Sequence, residues 1–312
     1  MAKRDFLSVD DLTPDELLAL LDGADRHKAD RHGSRALAGR SVALVFEKPS
    51  TRTRVSFEVG VHELGGYPLP LAGADLRLGR GETIEDTAAV LSRYVDAVVL
   101  RTFAQENLER MARGGAIPVV NALSDYEHPC QVLADLQTIR ERTGRLAGLR
   151  LAYVGDGNNV AHSLLLAGAK LGLQVAVATP SGYEPIPQVV RRAAEIAAQT
   201  GGAVEVTHDP QAAVMGAHVA YTDVWASMGQ ELEAEERALI FKPYQLNAGL
   251  LAGAAPGVVV LHCLPAHRGE EITADVIDGP GSAVFDQAEN RLHAQKALLS
   301  WLLAGTPDPL PA

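Results

Sequence analysis

The chain has 312 residues, 47% of them hydrophobic and 21% charged, a composition typical of globular proteins, and its length favours two domains of about 150 residues. A net charge of −11 without a basic stripe argues against nucleic-acid binding. The sequence has two cysteines, no apolar run near the roughly 20 residues that span a bilayer, and no apolar secretion signal at its start, so we expect a cytoplasmic enzyme.

Short apolar runs alternate with helical patterns along most of the chain, which predicts βα units and parallel sheets. Thr13-Pro14-Asp15-Glu16 is a capping box with proline at the first helical position, so it predicts an N-terminal helix. In the first half, strands are predicted at Ser41–Phe46, Asp96–Leu100 and Ile117–Asn121, and helices at Thr53–Leu64, Thr83–Tyr94, Gln105–Ala112 and Pro129–Arg142.

The second half repeats the alternation. Strands are predicted at Arg150–Gly155, Gln174–Ala178, Ala203–Thr207, His218–Thr222 and Val258–Cys263, and helices at Val160–Leu171, Pro187–Gln199 and Phe285–Leu303. A helix that ends in glycine at Thr143-Gly144 marks the domain boundary. We therefore predict an α/β fold of two doubly wound domains, residues 1–143 and 144–284. A C-terminal helical segment, residues 285–312, follows them.

The segment Lys48-Pro49-Ser50-Thr51-Arg52-Thr53-Arg54 joins a predicted strand to a helix that is predicted to begin near Thr53. A helix start presents unpaired N–H groups and a positive dipole end, which favour an oxyanion. Guanidinium groups can hold a phosphate through paired hydrogen bonds, and hydroxyls can complete the shell. The alternative is a solvated, basic helix N-terminus.

Other polar residues follow predicted strands at the edge where open α/β sheets bind ligands. Arg101 follows one strand, and a structural ion pair is its alternative role. His128-Pro129-Cys130-Gln131 opens a helix, which would present His128 and Gln131 as donors to a carbonyl oxygen. A histidine that merely caps a backbone group remains the simpler interpretation.

Gly155-Asp156-Gly157-Asn158-Asn159 follows a strand and opens a helix, as a dinucleotide fingerprint does. Val160 occupies the place of the third glycine, which disfavours a nicotinamide oxidoreductase. The asparagines favour hydrogen bonding to a small polar molecule, or an ordinary turn that caps the helix.

Two further motifs end strands in the second half. Asp223-Val224-Trp225-Ala226-Ser227-Met228-Gly229 offers a carboxylate for an ammonium group, and Ser227 with the backbone after it for a carboxylate. His262-Cys263-Leu264-Pro265 places a thiol at a strand end, where it is either activated as a thiolate or a buried structural cysteine.

Together these motifs resemble the transcarbamoylases, and within that family its ornithine branch. Ser-Thr-Arg-Thr-Arg and His-Pro-Cys-Gln are similar to the carbamoyl-phosphate half shared by the family, whereas Asp-x-x-x-Ser-Met-Gly and His-Cys-Leu-Pro are similar to the ornithine branch. The resemblance implies a C-terminal helix that packs back on the first domain. It also implies a homotrimer or a multiple of trimers, with small-molecule substrates and with neither a metal nor an organic cofactor.

The resemblance assigns roles to residues at matching positions. It implies that carbamoyl phosphate is bound by Ser50, Thr51, Arg52, Thr53, Arg77, Arg101, His128, Gln131, Cys263, Leu264 and Arg291. It implies that ornithine is bound by Asn159, Asp223, Ser227 and Met228, and that the catalytic residues are Arg101, His128, Asp223 and Cys263.

Arg77 lies in the glycine-rich loop Ala72–Glu82, which is either a plain connector or a lid. In the family this loop reaches into a neighbouring subunit's site, and many members have glutamine where this chain has Arg77, which leaves the loop's hydrogen bonding open. The reaction implied is transfer of a carbamoyl group from carbamoyl phosphate to the δ-amine of ornithine, giving citrulline. A transcarbamoylase for putrescine or an N-acylornithine, and a non-catalytic binding protein, remain as alternatives.

Overall fold

The computed structural model describes residues 3–72, 81–226 and 233–308. The chain forms two units, the first made of Met1–Gln137 with Glu289–Ala312 and the second of Thr138–Ala288. In the described part of the chain, no helix is both long enough and apolar enough to cross a membrane.

The first unit contains a four-stranded parallel sheet in the order β2-β1-β3-β4. Its strands are β1 (Ser41–Phe46), β2 (Tyr67–Ala72), β3 (Ala97–Arg101) and β4 (Val119–Leu123). The three predicted strands are confirmed, with shifts of one or two residues in β3 and β4. Strand β2 was not predicted because Pro68 and Pro70 interrupt its pattern, and an edge strand tolerates proline.

In the described residues up to 143, five helices accompany this sheet, namely α1 (Pro14–Ala29), α2 (Thr51–Glu63), α3 (Ile84–Leu91), α4 (Gln105–Gly114) and α5 (Pro129–Thr143). The predicted capping box is present: the Thr13 hydroxyl accepts from the Glu16 N–H, and the Glu16 carboxylate accepts from the Thr13 N–H. A 3-10 turn, Val9–Asp11, precedes α1. One core cluster joins the sheet to α3 and α4 through Val45, Val98, Leu100, Leu91 and Leu108.

The second unit contains a five-stranded parallel sheet in the order β7-β6-β5-β8-β9. Its strands are β5 (Arg150–Val154), β6 (Gln174–Ala178), β7 (Ala203–Thr207), β8 (Val219–Thr222) and β9 (Val259–His262). All five were predicted, two of them with the observed bounds. The order reverses at β5, so the carboxyl ends of β5 and β8 form a switch point of the kind where α/β sheets bind ligands.

The helices of this unit are α6 (Asn159–Lys170), α7 (Pro187–Thr200), α8 (Pro210–Val214), α9 (Ala234–Phe241), α10 (Ala248–Leu251) and α11 (Ala274–Ile277), with a 3-10 turn at Lys242–Tyr244. The first two were predicted. The last four have eight residues or fewer, too few for a helical period to show in the sequence.

The last helix, α12 (Val284–Ala304), carries the chain into the first unit. Its Lys296 is fully buried, donates to the backbone oxygen of Arg31 and lies 3.0 Å from Glu63 Oε2 in α2. A buried ammonium is stable only when it is paired, so this contact specifies where the helix packs. The predicted return of the C-terminal helix is confirmed.

Buried His27 in α1 should make the first unit sensitive to acid. Burial, followed by the charges of Lys296 and His293, lowers the pKa of His27 to about 4. On acidification, His27 in the unfolded chain therefore binds a proton near pH 6.5, whereas His27 in the folded chain binds it only near pH 4. Stability should fall across that window by up to about 3 kcal/mol.

Replacement of His27 with Gln should flatten this decline, measured as the free energy of unfolding in urea from pH 7 to about pH 4.5. The same change at solvent-exposed His62 is the matched control, since that side chain loses little solvent on folding. Identical pH dependence in wild type and His27→Gln would contradict the role assigned to His27.

Candidate functional site

The turn between β1 and α2 holds the Ser-Thr-Arg-Thr-Arg motif. The Ser50 hydroxyl accepts from the Thr53 N–H at 3.3 Å and caps the helix, which begins at Thr51 rather than near Thr53 as predicted. Serine is a strong N-cap residue, and its capping of the helix places the first residue of α2 two positions closer to the N-terminus than predicted. Thr51 and Arg52 are exposed while Thr53 is buried, so hydroxyl and guanidinium groups line the positive end of α2.

The second arginine of the motif has a different partner from the one expected. Arg54 Nε donates to Glu58 Oε1 at 2.6 Å, one helical turn further along α2. Such an exposed i,i+4 pair is a common surface feature. Of the two arginines in the motif, Arg52 is therefore the candidate for a phosphate contact.

Three contacts hold this turn against the end of the sheet. The Glu47 N–H donates to the Arg101 carbonyl oxygen at 2.9 Å. The Lys48 ammonium lies 2.5 Å from Asp125 Oδ1 and 4.1 Å from the centre of the Phe103 ring. Because Lys48 is buried and paired, the turn has a defined position beside Arg101.

Arg291 of α12 connects two of the predicted residues. Its Nη1 donates to Gln131 Oε1 at 2.6 Å, and its Nη2 donates to Thr53 Oγ1 at 3.1 Å. Gln131 in turn donates to Asp135 Oδ1 at 2.8 Å. With the Gln295 amide assigned so that its hydrogen bonds are satisfied, its oxygen accepts from Arg291 Nε at 3.2 Å. A buried guanidinium thus has several well-placed acceptors.

Positive charge is concentrated around buried His128. Burial lowers the pKa of its imidazole well below the usual value, and nearby guanidiniums lower that pKa further, in decreasing order Arg291, Arg101 and Arg52. These arginines come from α12, β3 and α2, so the fold gathers residues that are far apart in sequence. At neutral pH the imidazole is uncharged and can donate one hydrogen bond to an oxygen.

Cys130, two residues after His128, has a structural role. It is fully buried, its thiol donates to the Asn121 carbonyl oxygen at 3.3 Å, and burial raises its pKa to about 12. A thiol in this state is unreactive.

In the second unit, Asp223 follows β8 and is surrounded by donors. Cys263 Sγ lies 2.9 Å from Asp223 Oδ1, which also accepts from the Val224 N–H at 2.8 Å. Asn158 Nδ2 donates to Asp223 Oδ2 at 2.9 Å. A thiol that donates to a carboxylate holds its proton, so the thiolate alternative for Cys263 would require that proton to leave.

The residues around Cys263 form a second hydrogen-bonded group. His262 Nε2 lies 3.1 Å from Glu271 Oε1, and the Leu264 N–H donates to His262 Nδ1 at 2.9 Å. Leu264 has a φ of 59° and is followed by a cis peptide bond to Pro265. Because Nδ1 accepts, Nε2 carries the ring hydrogen and donates to the buried Glu271 carboxylate.

The Gly155–Asn159 turn packs against the backbone of a neighbouring segment, Tyr183–Pro185. The Gly157 N–H donates to the Tyr183 carbonyl oxygen at 2.9 Å. A Cβ on Gly157 would lie 2.4 Å from Pro185 N and 2.5 Å from Tyr183 O. The second glycine of a dinucleotide fingerprint admits a pyrophosphate, whereas here protein backbone occupies that approach, which further disfavours a nicotinamide cofactor.

Asn159 is the first residue of α6, directly follows Asn158 in the sequence, and is half-buried. Of the other predicted residues, Arg77, Ser227 and Met228 lie outside the described residues. Arg237 of α9 is buried, donates to Asp156 Oδ2, and donates from Nε to the Trp225 carbonyl oxygen at 2.6 Å.

Several residues that surround the predicted site residues in the two units were not themselves predicted. They are Asn158, Asp156, Arg237, Glu271, Gln287 and Gln295. Gln287 belongs to the set because its Oε1 accepts from the His262 N–H at 2.9 Å. Only Asn158 and Asp156 stood inside a motif that was considered, and the others are single polar residues whose neighbours are distant in sequence.

Among the described residues, two sets of side chains are close enough to share a metal ion. They are Asp223 with His262 and Cys263, and His267 with Glu270 and Glu271, with ligand atoms within 4.8 Å of one another in each set. In the first set both His262 nitrogens are engaged, and the thiol donates to the carboxylate. A metal would have to break those hydrogen bonds.

Family models match nearly the whole chain. One described as "Aspartate/ornithine carbamoyltransferase, carbamoyl-P binding domain" matches residues 4–141, and one described as "Aspartate/ornithine carbamoyltransferase, Asp/Orn binding domain" matches residues 147–302. The chain belongs to the aspartate/ornithine carbamoyltransferase family.

Similar proteins carry the name of one branch. The ornithine carbamoyltransferase of Parafrankia sp. (strain EAN1pec) is 65% identical over 310 residues, 98% of each chain. The anabolic ornithine carbamoyltransferase of Pyrococcus furiosus is 55% identical over 308 residues, again 98% of each chain. A solved structure of ornithine carbamoyltransferase from Pyrococcus furiosus has a TM-score of 0.94 and 54% identity, covering 97% of this chain and 98% of its own.

We predict that His128 stays neutral well below its usual pKa and that removal of the Arg291 charge raises its pKa. In Arg291→Met, one cause of the lowered pKa disappears while burial still keeps the pKa low. The measurement is an NMR pH titration of the imidazole signals. Arg54→Met is the control, since Arg54 pairs with Glu58. An unchanged midpoint in Arg291→Met would contradict the assignment.

Proposed function

We propose that this protein transfers the carbamoyl group of carbamoyl phosphate to the δ-amine of L-ornithine, giving L-citrulline and phosphate. The observation that carries the proposal is the concentration of Arg52, Arg101 and Arg291 around neutral His128, beside the start of α2. This arrangement is suited to a phosphorylated carbonyl compound. The relatives are named ornithine carbamoyltransferases, which favours ornithine over putrescine or an N-acylornithine.

The carbamoyl-phosphate half of the proposal rests on side chains of the first unit. The phosphate would bind to Ser50, Thr51, Arg52 and Thr53 at the positive end of α2. The carbamoyl oxygen would accept from Arg101 and His128, with Gln131 beside them. In the structure, Arg291 already donates to Gln131 and Thr53, so a ligand that replaces either acceptor would draw the guanidinium toward itself.

The ornithine half of the proposal rests on Asp223. A carboxylate whose oxygens are held by several donors is a rigid partner for the substrate's ammonium group. Asn159, Ser227 and Met228 are proposed to bind the remaining amino-acid groups. Cys263 and Leu264 are proposed to contact the carbamoyl phosphate.

The chemistry follows from the bonds exchanged. The neutral δ-nitrogen attacks the carbamoyl carbon, an oxyanion develops on the carbonyl oxygen, and the bond from carbon to the phosphate oxygen breaks. The nitrogen loses a proton, and phosphate leaves with the bonding electron pair. Charged and neutral donors at Arg101, His128 and Thr53 would stabilise the oxyanion, while Arg52 would stabilise the phosphate. Neither a metal nor an organic cofactor enters the scheme, because the substrate is an activated mixed anhydride.

We also propose that the protein assembles as a homotrimer, or a multiple of trimers, in the cytoplasm. Exposed apolar side chains on the first unit support an assembly, since Val55, Tyr67 and Tyr94 are more than half exposed at 51%, 63% and 75%. The first unit would be the carbamoyl-phosphate domain and the second the ornithine domain, within the predicted bounds 1–143, 144–284 and 285–312. Arg77 would contribute from the loop Ala72–Glu82.

The direct test is citrulline formation from carbamoyl phosphate with ornithine, with aspartate and putrescine in parallel. We expect turnover with ornithine and much less with the other two amines. Turnover with putrescine or aspartate in place of ornithine would support the carbamoyl-phosphate half of the proposal and overturn the ornithine half. An inactive, folded protein would overturn both.

Arg52→Ala tests the phosphate contact. Loss of a charge-assisted hydrogen bond should lower kcat/KM for carbamoyl phosphate at least tenfold, about 1.5 kcal/mol of transition-state stabilisation. Arg54→Ala in the same helix is the matched control and should change kcat/KM far less, because its side chain pairs with Glu58. Equal losses in the two variants would mean that Arg52 has no special role.

A further inference from the structure

Asn158 uses both ends of its side chain. Its Oδ1 accepts from the backbone N–H groups of Val160 at 2.9 Å and Ala161 at 3.3 Å, which caps α6. Its Nδ2 donates to Asp223 Oδ2 at 2.9 Å. The backbone donors require an oxygen at one end, so the amide nitrogen must face the carboxylate. The orientation of this amide is therefore decided by the helix start.

The bond from Asn158 completes the shell around Asp223. Oxygen Oδ1 accepts from Cys263 Sγ and the Val224 N–H, and Oδ2 accepts from Asn158. With both oxygens held, the carboxylate plane cannot turn without losing a hydrogen bond.

We propose that Asn158 is a positioning residue for ornithine binding. Its side chain holds the Asp223 carboxylate in the orientation that receives the substrate's ammonium group. This rests on the proposed role of Asp223 as the partner of the substrate's ammonium group. The two asparagines of the turn then have different tasks, since Asn158 orients the carboxylate while Asn159 binds substrate.

The chemistry of the side chain explains why asparagine is needed at this position. Serine and aspartate cap helices about as well as asparagine does, and threonine caps them somewhat less well. None of them offers an amide N–H that can reach Asp223 while its oxygen caps α6. Tyr153 OH also approaches Asn158 Oδ1 at 3.3 Å, so that oxygen has a third possible donor and stays turned away from Asp223.

The test compares Asn158→Ser and Asn158→Asp with wild type at pH 8. Both variants keep a capping oxygen, so thermal stability should be close to that of wild type. Asn158→Ser loses the donor and should raise KM for ornithine roughly 10- to 100-fold, the range for a hydrogen bond to a charged group. Asn158→Asp places a second carboxylate against Asp223 and should raise this KM at least as much. KM for carbamoyl phosphate should change less than about twofold in both.

The matched control is Asn247→Ser, which makes the same change at another helix N-cap of the second unit. Asn247 Oδ1 accepts from the Leu250 N–H at 3.0 Å, and its Nδ2 faces Gln245. This variant should keep wild-type constants for both substrates.

An unchanged ornithine KM in Asn158→Ser would overturn the inference, and so would an equal rise in KM for both substrates, which would indicate a purely structural role. If Asn158→Ser does not fold, the comparison is made with Asn158→Asp, whose side chain has the same length and branching as that of asparagine. Wild type is assayed alongside, and its failure to form citrulline would instead overturn the proposed function.

Discussion

The first unit depends on keeping several cations close together around the buried imidazole of His128. Three guanidiniums lower the pKa of buried His128, and the same charges repel one another. Such a cluster is stable only if each member has acceptors, and Gln131 and Thr53 serve Arg291 in this way. An anionic ligand would relieve the repulsion that these acceptors only partly offset. The positive charge that is costly for the folded protein would thus favour the phosphate group of the proposed substrate.

This local positive charge exists in a chain whose net charge is −11. Composition alone would have suggested a protein that repels phosphates. The difference arises because the fold brings Arg52, Arg101 and Arg291 close to His128, and because the helix start at Thr51 adds oriented N–H groups that do not appear in a count of charges. The second unit has the opposite character at its switch point, where Asp223 and Asp156 are balanced by amide, thiol and guanidinium donors.

Sequence reasoning succeeded where a residue pattern has one physical meaning. The apolar run at Ser41–Phe46 gave the bounds of β1, and the box at Thr13–Glu16 gave the start of α1. It failed at β2, where two prolines hide an edge strand that only its pairing with β1 reveals. It also placed the start of α2 too late, because Ser50 and Thr53 are both plausible caps until the backbone shows which one accepts.

By itself, the sequence determined the two α/β units and the motifs that end at the ligand edge of each sheet, because periodicity and strand-end chemistry are local properties. The return of the last helix was expected only from the resemblance to a known family. The tertiary structure decided the state of those residues. It made His128 neutral, gave Arg54 a surface partner, and left the Cys263 thiol donating to Asp223. It also introduced Asn158 and Glu271, whose roles depend on partners 65 and 9 residues away. Burial and through-space charge decide these properties, and neither can be read from residues in order.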